Sequence, residues 1–346
     1  MRNHIKINNS IKPFNKQIEV SGDKSISIRC VLIASQAIGK SRIYNLLESE
    51  DVISALNSIK KLGIKYKKKK NYYEIYGYGI NGYKTNKNIT INAGNSGTLA
   101  RLILGLLINS KKKIKIIGDK SLSKRDFSRV TEPLKLFGAK IISNKKSLPV
   151  EIVGSDFLRP IKYIEKLGSA QCKSSIMLGA IKTPGTTIIK AKKSRNHTEL
   201  IFQFLKIPIK FRKKKQYDLI EVKGPSNFSG FNYIVPGDIS SAAFFIVLTL
   251  LSKNSKIILR NINVNSSRIG IIKILNRMNA NINLKNKRLY NGENIGDIIV
   301  ESRSNLRSIS SPKNLNSSAI DEFLVIFLVA AKAKGISKFK NLSELN

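Results

Sequence analysis

Five short stretches carry polar residues that packing does not demand, and their types suit the binding of anions. SGDKSISIR (21–29) sets Lys24, Ser25 and Arg29 at the start of a predicted helix, within little more than one turn. Backbone N–H groups left open at a helix start favour negative charge, and a cation pair with a hydroxyl can close on the same ion. AGNSGTLAR (93–101) is a glycine-rich turn opening a second helix, where Gly97 lets a phosphate approach backbone that a side chain would block. It does not follow the phosphate-loop pattern of nucleoside triphosphatases. GDKSLSKRDFSRV (118–130) packs Lys124, Arg125 and Arg129 beside serines, and a planar guanidinium grips phosphate or carboxylate with two hydrogen bonds. GSAQCKSS (168–175) adds Ser169, Gln171 and Lys173, and SRNHTE (194–199) adds Ser194, Arg195 and His197. Any one of these alone is an ordinary helix cap. Together they predict a pocket for more than one anionic group, with Asp321 in SSAIDEF, opening the last helix, as the best-placed acid or base.

Those stretches sit at the starts of helices that come in two alternating kinds. The first kind is apolar and rich in small residues: SIRCVLIASQAIG, TLARLILGLLIN, CKSSIMLGAIKTPG, SAAFFIVLTLLSKN and DEFLVIFLVAAKAKG. The second is amphipathic and runs into a strand of alternating basic and aliphatic residues: VISALNSIKKLGIKYK, VTEPLKLFGAKII, TELIFQFLKIPIKF and IGIIKILNRMNANINL. Its breaks, at Gly63, Gly138, Pro208 and Asn279, fall about 70–75 residues apart. Gly or Asn at such breaks suits a left-handed helix cap. The pattern predicts an α/β (α+β) protein of repeated βαβαββ units. The next break is due at about residue 350, so the last unit is expected to be incomplete.

The 346 residues, 42% hydrophobic, suffice for two domains. AAFFIVLTLL (242–251) is shorter than a membrane span and the amino terminus lacks a secretory core, so a soluble cytoplasmic protein is expected. Cys30 and Cys172 read as buried free thiols, and His4 and His197 are the only histidines, so no metal site is expected. The charge of +40 makes nucleic acid a partner to consider. Its lysines lie in scattered runs, KYKKKKNYY (65–73), SKKKIKI (110–116) and FRKKKQY (211–217), with no arginine stripe and no aromatic array for stacking bases. They read as solvated charge that also steers anionic substrates.

In order along the chain, SGDKSISIR, GNSGTLAR, GDKSLSKRDFSRVTEPL, GSAQCKSS, SRNHTE, VPGDISSAAFF and IDEF resemble the EPSP synthase family, the 3-phosphoshikimate 1-carboxyvinyltransferases. The resemblance implies two domains of three related units each, with substrates in the cleft. The first would span 21–235, and the second 1–20 with 236–346. It implies transfer of the enolpyruvyl group of phosphoenolpyruvate to the 5-hydroxyl of shikimate 3-phosphate, with no cofactor, no metal and a monomeric chain. By motif, Lys24 would touch both substrates. Ser25, Arg29, Ser169, Ala170, Gln171 and Ser194 would hold shikimate 3-phosphate, and Gly97, Arg125 and Gln171 phosphoenolpyruvate. Asp321 would be the base. The family's later K-E-S-D-R motif is not in this sequence, and Glu344 does not replace its glutamate, so little or no turnover is expected of the chain as written. Two alternatives are a UDP-N-acetylglucosamine enolpyruvyl transferase, which has Lys-Asn where this chain has Lys24-Ser25, and a non-catalytic remnant binding phosphate ligands or RNA.

Overall fold

The computed structural model describes residues 11–302 and 305–342. His4, Glu344 and the last four residues lie outside the described residues. In chain order, β1 (Asn15–Glu19) precedes a first round of α1 (Lys24–Ala34), β2 (Ile38–Tyr44), α2 (Glu50–Lys61), β3 (Lys65–Lys68) and β4 (Tyr72–Tyr78). The second round is β5 (Ile89–Asn92), α3 (Gly97–Leu106), β6 (Ile114–Ile117), α4 (Ser128–Lys135), β7 (Lys140–Asn144) and β8 (Ser147–Val153). The third is β9 (Lys162–Glu165), α5 (Ala170–Ala180), β10 (Gly185–Lys192), α6 (His197–Phe204), β11 (Ile209–Lys213) and β12 (Tyr217–Gly224). After β13 (Asn232–Ile234) come α7 (Ile239–Leu251), β14 (Lys256–Asn263), α8 (Gly270–Arg277), β15 (Asn281–Tyr290) and β16 (Glu293–Glu301), then α9 (Asn316–Ala319) and α10 (Phe323–Lys332).

The βαβαββ repeat is visible in the sheets, whose orders are β13-β2-β4-β3, β5-β6-β8-β7, β9-β10-β12-β11 and β1-β14-β16-β15. In each, the first pair is parallel and the second antiparallel. Two rounds do not use a leading strand of their own. The sheet holding β2 takes β13 from far along the chain, and the sheet holding β14 takes β1 from the amino-terminal end. The chain forms two compact units: a larger one of Ser21–Pro236 with the hairpin tip Leu289–Glu293, and a smaller one of Met1–Val20, Gly237–Arg288 and Asn294–Asn346.

In the larger unit the apolar helices form the centre. A helix without a polar face must be covered on all sides, and α1 is buried from Ile26 to Ala34 and α5 from Cys172 to Ala180. Helices α3 and α5 approach so closely that a Cβ on Gly105 would lie 2.1 Å from the Ser175 carbonyl oxygen. Gly105→Ala is therefore expected to force the two backbones apart at a cost of about 1–3 kcal/mol. Urea unfolding measures this, and an unchanged midpoint would show that the contact yields freely. Both cysteines are buried free thiols. The smaller unit has its own core, in which Ile246, Leu275, Phe323 and Ile326 meet beneath β14 and β16.

The amphipathic helices end as their sequences predict, with one displacement. After α2, α6 and α8 the chain makes paired bonds, Ile64 N to Ile59 O with Gly63 N to Lys60 O, and their equivalents at Ile207/Lys206 and Ala280/Asn279. This cap needs a left-handed residue. At α6 that residue is Lys206, φ 55°, two positions before the expected Pro208. The left-handed region costs a lysine roughly 1–2 kcal/mol, offset here by the two bonds. Asn109, also read as a helix stop, is not left-handed; its side chain donates to Asn81 Oδ1 instead.

The lysine runs have a structural place. KYKK is β3 and IKFRK is β11, and these, like β7 and β15, lie at sheet edges. Charge on an edge strand discourages pairing with another chain. One helical stretch, Lys313–Lys332, is long and apolar enough by length and composition to cross a membrane. It is four consecutive helical pieces rather than one helix, and Phe323, Val325, Ile326 and Val329 pack into the core of the smaller unit. Beyond it the chain makes two isolated bridges, Arg307 with Lys334 and Ser310 with Lys338.

Candidate active site

The first turns of α3 and α5 meet in the larger unit. Each is capped by a serine: Ser96 Oγ accepts from Leu99 N, and Ser169 Oγ accepts from Cys172 N. Gln171 joins the two helices, its Nε2 donating to Thr98 Oγ1 at 3.0 Å and its Oε1 accepting from Arg101 Nη1 at 2.7 Å. Arg125 arrives from the loop before α4 and donates to Asn95 Oδ1. Gly97 lies between the two guanidinium groups, since a Cβ there would stand 3.2 Å from Arg101 Nη1 and 3.2 Å from Arg125 Nη1. Gly97, Arg125 and Gln171 are thus brought together, with Ala170 beside Gln171 opening α5.

Arg101 belongs to this group although the motif reading passed over it. It is buried, stacks 4.9 Å over the Phe127 ring and also donates to the Asp126 carbonyl. Burial, helped by Arg129 and Arg125, lowers its pKa to about 10, which leaves it a cation at neutral pH. Its Nε has no hydrogen-bond partner among the described residues. The signal in the sequence was its spacing: four residues after Gly97 it falls on the same face of α3.

Around the start of α1, Asp23 accepts from Ile26 N and caps the helix. Lys24 is exposed, with its Nζ 3.9 Å from Asp51 Oδ2, and Ser25 is half-buried. Arg29 points inward. It donates to Thr198 Oγ1 of α6 at 2.9 Å, to Ser174 Oγ of α5 at 3.2 Å and to the Ser25 carbonyl at 2.9 Å. Burial lowers its pKa to about 10, partly countered by Glu199 and Asp23. Arg29 therefore ties three helices together. Gly168 brings the turn before Ser169 against the chain before Ser194, its Cβ position being 3.5 Å from the Lys193 carbonyl oxygen. Ser194 Oγ is buried and has no partner among the described residues.

Two residues read as ligand groups are instead parts of buried pairs. Lys173 Nζ lies 2.6 Å from Glu199 Oε1, and His197 Nδ1 lies 2.7 Å from Glu293 Oε1, all four side chains being inaccessible to solvent. A charge so enclosed is held by its partner, so Lys173 and His197 face the interior rather than a ligand. Lys24, Lys124, Arg125 and Arg129 remain exposed cations at this end of the unit, and Arg195 is partly exposed.

In the smaller unit Asp321 is exposed and Arg268 Nη1 donates to its Oδ2 at 3.0 Å. Arg268, almost fully buried, also donates to Ser240 Oγ and lies 3.6 Å from Glu322 and 3.7 Å from Asp238. Asp238 caps α7 by accepting from Ser240 N, and Ser240 Oγ donates to Glu322. One arginine among three carboxylates fixes the side of Asp321 that faces it. Only Glu322 adjoins Asp321 in the chain; Asp238 and Ser240 come from a second segment and Arg268 from a third, so the sequence did not place them beside it.

Residues 8–346 match the family model of EPSP synthase (3-phosphoshikimate 1-carboxyvinyltransferase). A 3-phosphoshikimate 1-carboxyvinyltransferase of Vesicomyosocius okutanii is 40% identical over 97% of this chain and 77% of its own length. That of Petrotoga mobilis is 35% identical over 96% of this chain and 76% of its own length. The structure of EPSP synthase from Acinetobacter baumannii superposes with a TM-score of 0.87 and 34% identity, over 97% of this chain and 75% of that one. The enolpyruvyl transferase NikO from Streptomyces tendae shares the fold, with a TM-score of 0.70 at 12% identity over 94% of this chain and 73% of that one.

Proposed function

This chain belongs to the EPSP synthase family, and from that membership we propose how its residues serve the reaction. The protein is a 3-phosphoshikimate 1-carboxyvinyltransferase. It transfers the enolpyruvyl group of phosphoenolpyruvate to shikimate 3-phosphate in aromatic biosynthesis, giving 5-enolpyruvylshikimate 3-phosphate and phosphate. The match favours neither a UDP-N-acetylglucosamine enolpyruvyl transferase nor an RNA-binding remnant. The protein acts as a monomer in the cytoplasm, on its two small substrates, without nucleic acid, membrane or cofactor.

The observation that carries the site assignment is the group around Gly97. Two guanidinium ends stand 3.2 Å from the Cβ position of Gly97 in the first turn of α3, and Gln171 ties that turn to the start of α5. Such fixed donors hold an anion without reorganising, and they stabilise charge that develops on it during reaction. Phosphoenolpyruvate binds there through Arg125, Gln171 and the backbone at Gly97, with Arg101 as an additional donor. Shikimate 3-phosphate places its phosphate on Ser169, the backbone of Ala170 and the unpartnered hydroxyl of Ser194, and reaches Gln171. Its carboxylate end lies toward Ser25 and Arg29. Arg29, with several of its donors already committed inside the protein, acts mainly by holding α1 against α5 and α6. Lys24, exposed at the start of α1, reaches both substrates. Asp321 accepts the 5-hydroxyl proton as that oxygen attacks C2 of the enol and the methylene takes up a proton; the tetrahedral intermediate then loses phosphate from C2 and a methyl proton to restore the double bond, while Arg268 keeps the carboxylate oriented.

Steady-state phosphate release tests this, with calorimetry for shikimate 3-phosphate alone. At saturating shikimate 3-phosphate, Arg125→Ala is expected to weaken phosphoenolpyruvate binding, read as its KM, about 10- to 100-fold, the loss of one charged hydrogen-bonding partner. Gly97→Ala is expected to weaken it about tenfold by pressing on both guanidinium ends. Shikimate 3-phosphate binding changes little in either variant. Undiminished phosphoenolpyruvate binding in Arg125→Ala would overturn the assignment.

A further inference from the structure

We propose that a cavity in the larger unit, of about 870 Å³, binds a small organic anion, a carboxylate or phosphate carried on a ring-sized apolar body. It opens beside the far ends of α3 and α5, where Leu106 and Lys182 line it, about 15 Å of helix from the starts that hold Gly97 and Ala170. A cavity of this size suits a small ligand.

Its charge is one-sided. Lys111, Arg159 and Lys182 line it against a single acid, Asp156. Lys182 is the telling group. It is almost fully buried, donates to the Ile80 carbonyl and lies 5.4 Å from the centre of the Tyr83 ring. No carboxylate among the described residues pairs with it. Burial alone pushes its pKa down to about 7. A buried ammonium lacking a counter-charge is costly, and an anion entering the cavity would supply one.

The helix ends nearby do not compete for that role. Their carbonyls are already occupied, Leu107 O by Ser110 N, Ile108 O by Ser155 N and Ile181 O by Ser226 N. The apolar wall is formed by Tyr83, Leu106 and Phe157, the last 91% exposed with little covering its ring. Cations and rings lining the same cavity match a ligand with an anionic head and an apolar body.

The test uses the full chain with phenyl phosphate and 3-phenylpropionate as probes, and benzyl alcohol as the uncharged control. At least one of the two anions is expected to bind at a single site that saturating shikimate 3-phosphate does not displace, while benzyl alcohol does not bind. Lys182→Met and Arg159→Ala should each weaken that binding about tenfold. If Lys182→Met does not fold, Arg159→Ala and Lys111→Ala decide. Absence of binding by both anions at millimolar concentration, displacement by shikimate 3-phosphate, or undiminished affinity in the folded variants would overturn the proposal.

Discussion

Lys173→Met is expected to destabilise the larger unit by about 3 kcal/mol, because it leaves the Glu199 carboxylate buried without its partner. Both side chains are fully enclosed and 2.6 Å apart. Arg29 lies near enough to Glu199 to be affected by its charge, which places the loss at the lower end of the range for a broken buried pair. The double substitution Lys173→Met with Glu199→Leu removes both charges and should recover most of the loss, since a buried pair contributes little net stability over apolar side chains of similar volume. Urea unfolding of the three variants measures this. A single variant within about 1 kcal/mol of the parent would show that water or Arg29 compensates fully.

The second large effect is a rise in stability with pH. Lys182, ordinarily near 10.5, is lowered to about 7 by burial. Between those values the unfolded chain holds a proton on this amine that the folded chain does not, so unfolding becomes less favourable as pH rises. From pH 7 to 9 the gain is on the order of 2–3 kcal/mol. Above about pH 9 the trend reverses. Burial raises the pKa of the Cys30 thiol, pushes that of Cys172 up to about 12 and raises that of Tyr83. These acids ionise in the unfolded chain first, and the stability they contribute is lost as pH rises. Lys182→Met isolates the lysine: its unfolding free energy should no longer rise from pH 7 and should fall toward pH 9 as the thiols of the unfolded chain ionise. A slope equal to that of the parent would mean the amine stays charged when folded.

The two kinds of helix were legible in the sequence because their periodicities record their surroundings. An all-apolar segment such as CKSSIMLGA has to be enclosed, and a one-sided segment such as IGIIKILNR has to lie on a surface. The polar motifs at the helix starts were legible for a local reason: helix caps and glycine turns are set by neighbours in the chain. Ser169, Gln171, Gly97 and Arg125 could be chosen on that ground. The same logic misread Lys173 and His197. A lysine and a histidine beside a helix start look alike whether they face solvent or core, and only the facing element, with Glu199 or Glu293 on it, distinguishes them.

By itself the sequence determined the repeat, the helix types and the motif positions, all of which depend on interactions within a few residues. Tertiary structure alone decided which strand completes each sheet, so that β13 joins β2 and β1 joins β14. It also decided that Arg101 stands beside Gly97 and Gln171, that Arg29 braces three helices, that Arg268 holds Asp321, and that Lys182 is buried without a counter-ion. Each of these joins residues from distant segments, and their distances and desolvation exist only once the chain has brought them together.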